Sequence, residues 1–286
     1  MPPFRVSLVI LLSWICANAF LFYAEVLPRW RAGQPPLFTI DLADEAGNVR
    51  PYVQWKVLVR NEEFLKLTTG IDLVEGKEDE FILWADYKPP NPLKQKKDFL
   101  WLKHLRSEFK VHRDGDLLAA YARVSIESFR GVQIPLTMEM NGEIKNRLFH
   151  PVLTTDTLAG QKTIPLSPMQ VPVNGGMFQP FHPVHRIMGL FPGRTWVQPS
   201  FDPLAMALST SLAGLDGQEP VGTVLAKVRA GLESVNWKGK SFACQVIEFN
   251  GHEMEALVWV DVVHGAVLRQ KVKFSGAFEW ELVRID

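Results

Sequence analysis

From Tyr52 the chain alternates, with Val53, Trp55, Val57 and Val59 on one side of an extended backbone and Gln54, Lys56 and Arg60 mostly on the other. Successive side chains of a strand point to opposite faces, so this pattern commits the segment to a sheet with one buried face. Asn61-Glu62-Glu63 turns the chain into Phe64 to Thr69, and the polar run Glu75 to Glu80 separates that segment from Phe81 to Tyr87, which predicts a three-stranded meander. Further on, Asp114-Gly115 supplies a hairpin turn between Leu105 to His112 and Leu117 to Phe129, and Arg130-Gly131 leads into Val132 to Met140. Asn141-Gly142 reads as the next turn, into Glu143 to Phe149, which sets Glu139 opposite Lys145 and Met138 opposite Asn146. Asp98 to Lys103 suits helix and strand alike, because Phe99, Leu102, Leu105 and Phe109 have near-helical spacing. Strands joined by such short turns pair antiparallel.

The last part of the chain repeats the grammar. Val221 to Leu232 runs to a turn at Trp237-Lys238-Gly239-Lys240, followed by Ser241 to Phe249, Asn250-Gly251, Met254 to Val262 and His264-Gly265. A final hairpin centred on Gly276 pairs Phe274 with Phe278 and Val272 with Trp280 on one face, and Lys273 with Glu279 and Lys271 with Glu281 on the other. Between the two sheet regions, His150 to Gly217 is broken by recurrent prolines and by Gly175-Gly176, yet it carries Met177, Phe178, Phe181, Met188 and Trp196. A long, apolar, mostly irregular segment of this kind is expected to cover something. It holds one clear helix signal: Asp202 as N-cap, Pro203 at the first position, Leu204, Leu208 and Leu212 on one stripe, and Gly214 past the end.

Ahead of the sheet, Val6 to Val26 reaches Glu25 before it meets a charged side chain, which is long enough for a membrane span. The same stretch also reads as a secretory signal peptide, with Ala17-Asn18-Ala19 as a small-x-small cleavage site. Either reading sends the rest of the chain out of the cytoplasm: as a single-pass membrane protein with an exported C-terminal domain, or as a periplasmic or secreted protein after cleavage. Residues 1–27 are thus anchor or signal, 28–50 with Gly33, Pro35-Pro36 and an acidic patch are a linker, and 51–286 are the exported domain, with 150–217 its Pro-rich cover. Cys16 and Cys244 are the only cysteines, so no disulfide forms within that domain and its stability must come from burial. Trp14 and Ile15 are too bulky for a lipoprotein acylation motif ahead of Cys16. The 31 basic and 31 acidic side chains balance, and no cluster gives the phosphate-tracking stripe of a nucleic-acid binder.

A search for catalytic chemistry returns decoys. His252-Glu253-Met254-Glu255-Ala256 opens like a zinc-protease helix, but Ala256 replaces the second histidine and the segment follows a hairpin turn. Gly239-Lys240-Ser241 resembles the end of a phosphate loop, yet Ser234 stands where its first glycine is required. His182 and His185 have a chelating spacing with His150 as a third ligand, but without an acidic or cysteine partner they read as hydrogen-bonded imidazoles. Cys244 reads as an inert buried thiol. No catalytic residue, metal or cofactor is expected. The remaining signal is apolar: Trp55, Trp84 and Trp259 on strands, with Met177, Phe178, Phe181, Met188 and Trp196 in the cover, are the candidate lining of a hydrophobic cavity suited to an acyl chain.

The stretch WKGKSFACQVIEFNGHEMEALVWVDVVHGAVLRQKVKFSGAFEWELVR resembles the closing strands of bacterial envelope proteins related to the outer-membrane lipoprotein carriers and lipoprotein-localisation factors, and Tyr52 to Phe149 resembles the opening strands of the same group. The resemblance implies a mainly β (α+β) fold: a strongly curved antiparallel sheet or half-barrel whose concave face is closed by helices or loops and holds lipid. The Pro-rich segment matches nothing in that pattern, and an N-terminal transmembrane helix would hold the domain at the membrane where the carriers shuttle. The expected function is a non-enzymatic, membrane-tethered exported domain that binds a hydrophobic ligand such as lipid or lipoprotein acyl chains. The alternative is an envelope scaffold or assembly protein that uses the same domain to meet an envelope protein partner.

Overall fold

The computed structural model describes residues 4–22, 42–47, 52–90, 100–113, 115–129, 132–158, 160–171, 182–201, 221–251, 254–274 and 279–286. Two helices precede the sheet. The first, α1 (Phe4–Leu21), has 18 residues and so extends about 27 Å, slightly less than a hydrocarbon core of about 30 Å. Among the described residues no helix is long and apolar enough to cross a membrane; Tyr23 to Val26, the end of the expected span, lie outside them. The second, α2 (Leu42–Ala46), falls within the expected linker and packs Leu42, Ala43 and Ala46 against the core.

The described residues otherwise build one antiparallel sheet. Its strands are β1 (Tyr52–Val59), β2 (Glu62–Leu73), β3 (Glu80–Lys88), β4 (Leu100–His112), β5 (Leu117–Phe129), β6 (Val132–Lys145), β7 (Leu148–Thr157), β8 (Gly160–Pro165), β9 (Met169–Gln170), β10 (Thr195–Phe201), β11 (Val221–Trp237), β12 (Lys240–Gly251), β13 (Met254–Asp261), β14 (Val267–Phe274) and β15 (Glu279–Arg284). The spatial order runs β10 to β15 and then β1 to β8, with β9 beside β7. The chain therefore closes on itself in the middle, where β15 pairs with β1, and its two outermost strands, β8 and β10, leave the curved sheet open.

One face is the core. Val53, Trp55 and Val57, then Leu65 and Leu67, Phe81 and Tyr87, Met138 and Met140, and Val258 and Val272 are all buried in one continuous cluster, as the period of two requires. On the final hairpin the register is the expected one: Lys271 faces Glu281, Val272 faces Trp280 and Lys273 faces Glu279. Its outer face carries the charges, with Lys271 Nζ 3.4 Å from Glu279 and 3.5 Å from Glu281.

One expectation needs correction. Asn141-Gly142 is not a turn: β6 runs straight through it, the turn is Asn146-Arg147 with φ of 52° and 63°, and Met138 and Glu139 face Thr155 and Thr154. Gly142 is there for space, since a Cβ at that position would enter the Phe149 ring and come within 2.9 Å of the His150 carbonyl. Asp98 to Lys103, which suits helix and strand alike, is strand from Leu100, and Asp98 and Phe99 lie outside the described residues. A register shift leaves Lys103 without a partner in β5, so Leu102 and Leu105, three apart, both face the core and imitate a helical spacing. Within the expected cover 150–217, the described residues extend the sheet through β7, β8, β9 and β10 and otherwise run without helix or regular strand; its expected helix from Asp202 lies outside them.

A second, smaller core sits on the other face. In β11, Arg229, Ala230 and Gly231 form a bulge opposite the single residue Val246. Bulges bend strands, and beyond this one the outer face of β11 to β14 is the apolar one, gathering Val235, Cys244, Val246, Trp259 and Leu268.

Candidate functional site

The feature that sets this sheet apart is a strap, residues 182–194, with neither helix nor regular strand, laid across the inner face. It starts against β4, where the His182 ring meets Phe109 edge-on at 5.7 Å. It then crosses to the β13–β14 turn: the Ile187 amide donates to the Gly265 carbonyl at 2.8 Å and the Val267 amide to the His185 carbonyl at 3.0 Å, so that Arg186 and Ala266 form a one-residue bridge. It ends on β11, where the Gly193 amide donates to Val228 and the Val228 amide to Arg194. Val184, Ile187 and Leu190 point into the core. Gly265, with φ of 66°, is required here, because a side chain would strike the Met188 sulfur and lie 2.8 Å from the Ile187 carbonyl.

One side-chain relay fastens the strap from beneath. Trp55 Nε1 donates to Thr69 Oγ1 at 3.0 Å, which leaves the hydroxyl one proton to give. The His185 Nε2 lies 2.8 Å from that hydroxyl, nearer than the Val53 carbonyl at 3.5 Å, and the imidazole tautomer sets which of the nitrogen and oxygen atoms donates. Burial pushes the His185 imidazole down to about 3, helped by His182, Arg284 and Arg186, and burial pushes His182 down to about 4. His182 Nδ1 is buried with no partner among the described residues.

Away from the second core, the outer face is mostly polar, and many of its charges pair with one another. Asp86 on β3 meets His104 on β4 at 2.6 Å and Lys88 at 2.5 Å. Burial works to raise its carboxyl, but those hydrogen bonds outweigh it and hold Asp86 below the usual range. In register with His104 stands Ser125, whose hydroxyl is 3.2 Å from that of Thr137. Carboxylate, imidazole and hydroxyls thus lie in a row across β3 to β6, yet no hydrogen bond joins His104 to Ser125 and the row is spread over an open face, so it lacks the base-to-nucleophile contact that activation needs. Sequence reading missed this row because it depends on the register set by the unpaired Lys103. On β11 to β15, Glu233 accepts from Trp259 Nε1 at 2.8 Å and from Arg229 at 2.6 Å, and these contacts, the tryptophan first, hold it below its ordinary range. Cys244 is buried there, and burial pushes its thiol up to about 11, with Asp261 and Glu233 adding to the effect.

The candidate lining residues are divided between the two faces. Trp55 and Trp196 are buried on the inner face, the latter donating Nε1 to Gln198 at 2.7 Å and packing edge-on against Phe249. Met188 rides on the strap, partly exposed. Trp84 lies on the outer face over Gly70 and under the Arg106 guanidinium, and Trp259 belongs to the second core. Met177, Phe178 and Phe181 lie outside the described residues. His182 and His185 do share the strap, whereas His150 is exposed on β7, and among the described residues no group of three or more His, Cys, Asp or Glu is placed to hold a metal.

No family model and no curated protein matches the chain. One solved structure aligns with it over 87% of this chain and 90% of its own: the hypothetical lipoprotein YmcC from Escherichia coli (K12), at 9% identity and a TM-score of 0.27. Similarity at that level carries no argument about what this chain does, and the reading below rests on its own residues.

Proposed function

We propose that this is a non-enzymatic, envelope-associated domain that takes a hydrophobic ligand, lipid or the acyl chains of a lipoprotein, against its inner face when the strap moves aside. The observation that carries the reading is the strap itself. Val184, Ile187 and Leu190 occupy an apolar surface that continues across the sheet, while few polar contacts hold them there. Apolar side chains on a detachable segment stand where an acyl chain would pack, and the exchange leaves the Val267 and Val228 amides, the Gly265 and Val228 carbonyls and the Thr69 hydroxyl for water or the polar end of the ligand to satisfy. The chain reaches this place from the apolar α1, which would keep the domain at the membrane.

Native mass spectrometry of the full chain, extracted gently from membranes, tests this. A fixed complement of lipid on each monomer is the expected result. Bare protein that also refuses added fatty acid would overturn it. A second reading, an envelope scaffold, is favoured by the exposed cross-strand pair Val197 and Leu225 beside the edge of β10, which no strand among the described residues pairs; recovery of a defined protein partner without lipid selects it.

A further inference from the structure

We infer that the rim of the sheet at which β1 begins is the surface that this protein lays against an anionic phospholipid bilayer. In an antiparallel meander the start of β1, the end of β15 and the turns β2–β3 and β13–β14 fall at the same end. Those strands, β13, β14, β15, β1, β2 and β3, are consecutive neighbours, so at about 4.8 Å per strand the turns share a front about 25 Å wide. Along it stand Tyr52, Leu73, Val262, Val263 and Ile285, all exposed, with Met188 of the strap beside Gly265. Apolar side chains gathered on one rim mark a contact surface, whereas scattered ones do not. Among the described residues the opposite rim offers Arg60 and Asn61 at the β1–β2 turn and the single exposed apolar residue Leu158.

Two further features select a bilayer as the occupant. The chain enters the sheet at Tyr52, on this rim, coming from α1, whose side chains from Ile10 to Phe22 are all exposed. Charge divides the rim: Lys238 and Lys240 at the neighbouring β11–β12 turn and Arg186 on the strap are exposed at one end, and the carboxylates Glu75, Glu78 and Asp79 occupy the β2–β3 turn at the other, so the lipid contact centres on the β13–β14 turn and not on β2–β3. Inserted apolar side chains flanked by cations are the two signals that together hold a protein on a lipid surface when one alone is weak. The inference rests on the membrane attachment proposed above and adds which surface faces the lipid.

The test uses the full chain in vesicles of phosphatidylethanolamine and phosphatidylglycerol, with an environment-sensitive fluorophore on one cysteine at a time: native Cys16, Val263→Cys, or Leu158→Cys, the last two with Cys16→Ala. Buried Cys244, its thiol far from ionising, stays unlabelled. Val263 is 71% exposed and Leu158 85% exposed, so neither change disturbs the core. The expected result is several-fold stronger quenching by lipid-borne nitroxides at residue 263 than at residue 158, together with strong quenching at Cys16. Quenching at Cys16 with 263 as dry of lipid as 158 overturns the rim assignment and leaves the attachment standing. Absence of quenching at all three overturns both.

Discussion

A hydrogen bond between Thr69 and His185 ties the strap to β2, in surroundings that hold the imidazole neutral. Both strap histidines are held well under the ordinary 6.5, to about 4 for His182 and about 3 for His185. A depressed folded value means that the unfolded or opened chain takes up protons, below pH about 6.5, that the closed one refuses. Their contribution to stability is therefore whole above pH about 6.5 and is lost as pH falls toward 4 and then 3, by up to about 1.4 kcal/mol per pH unit for each histidine. The charged neighbours Arg186 and Arg284 add to the penalty on His185, and no carboxylate is among the causes that set its value. Urea unfolding between pH 6.5 and 5, above the range in which Asp86 and Asp261 lose their own ionised-state advantage, should show a falling midpoint at constant slope. His185→Gln keeps an acceptor for Thr69 and cannot titrate, so its midpoint should fall more shallowly than that of the native chain. An unchanged pH slope in that variant would place the sensitivity elsewhere.

Single elements show what a sequence can and cannot tell. The β14–β15 hairpin was legible to the residue, because alternating Val272, Trp280 and Lys–Glu pairs on opposite faces admit one register. Trp55 as a core residue was legible for the same reason. Two elements hid behind local signals. Asn141-Gly142 carries a strong turn signal, but Gly142 serves the Phe149 ring of the neighbouring strand, a contact that exists only once β6 and β7 pair. Gly142→Ala should accordingly cost about 1–3 kcal/mol by overpacking, read as a lower denaturation midpoint, and Phe149→Leu in the same chain should recover part of the loss. Equal losses in single and double variants would mean that the glycine matters for its backbone and not for the ring. The division of the tryptophans is the second case. Trp84 and Trp259 follow strand periods that put them outside, yet nothing in one strand says which of its faces meets the main core, and the bulge at Arg229 to Gly231 reverses which face is apolar. The strap falls within the Pro-rich segment, and its anchoring to Thr69 and Gly265 spans 116 positions in one case and depends on folds that no local pattern encodes.

On the scale of the whole molecule, an open sheet of this width must keep its inner face dry, and the strap does part of that work by joining β4, β2, the β13–β14 turn and β11. If ligand enters by displacing the strap, fixing the strap should stop entry without harming the fold. The bridge at Arg186 and Ala266 offers the place. Hydrogen bonds flank this pair on both sides and none joins it, so it is the close type of antiparallel pair, with Cα atoms about 4.5 Å apart, within the span that a disulfide accepts. Arg186→Cys with Ala266→Cys, in a chain with Cys16→Ser, should oxidise readily and raise stability by up to about 4 kcal/mol through closure of a long loop. Uptake of a fluorescent fatty acid should then fall at least tenfold in the oxidised protein and return on reduction, while the circular dichroism of the sheet stays the same. Uptake that is indifferent to the disulfide would show that the strap is a permanent part of the core, and the inner face could then not be the place where this domain receives a ligand.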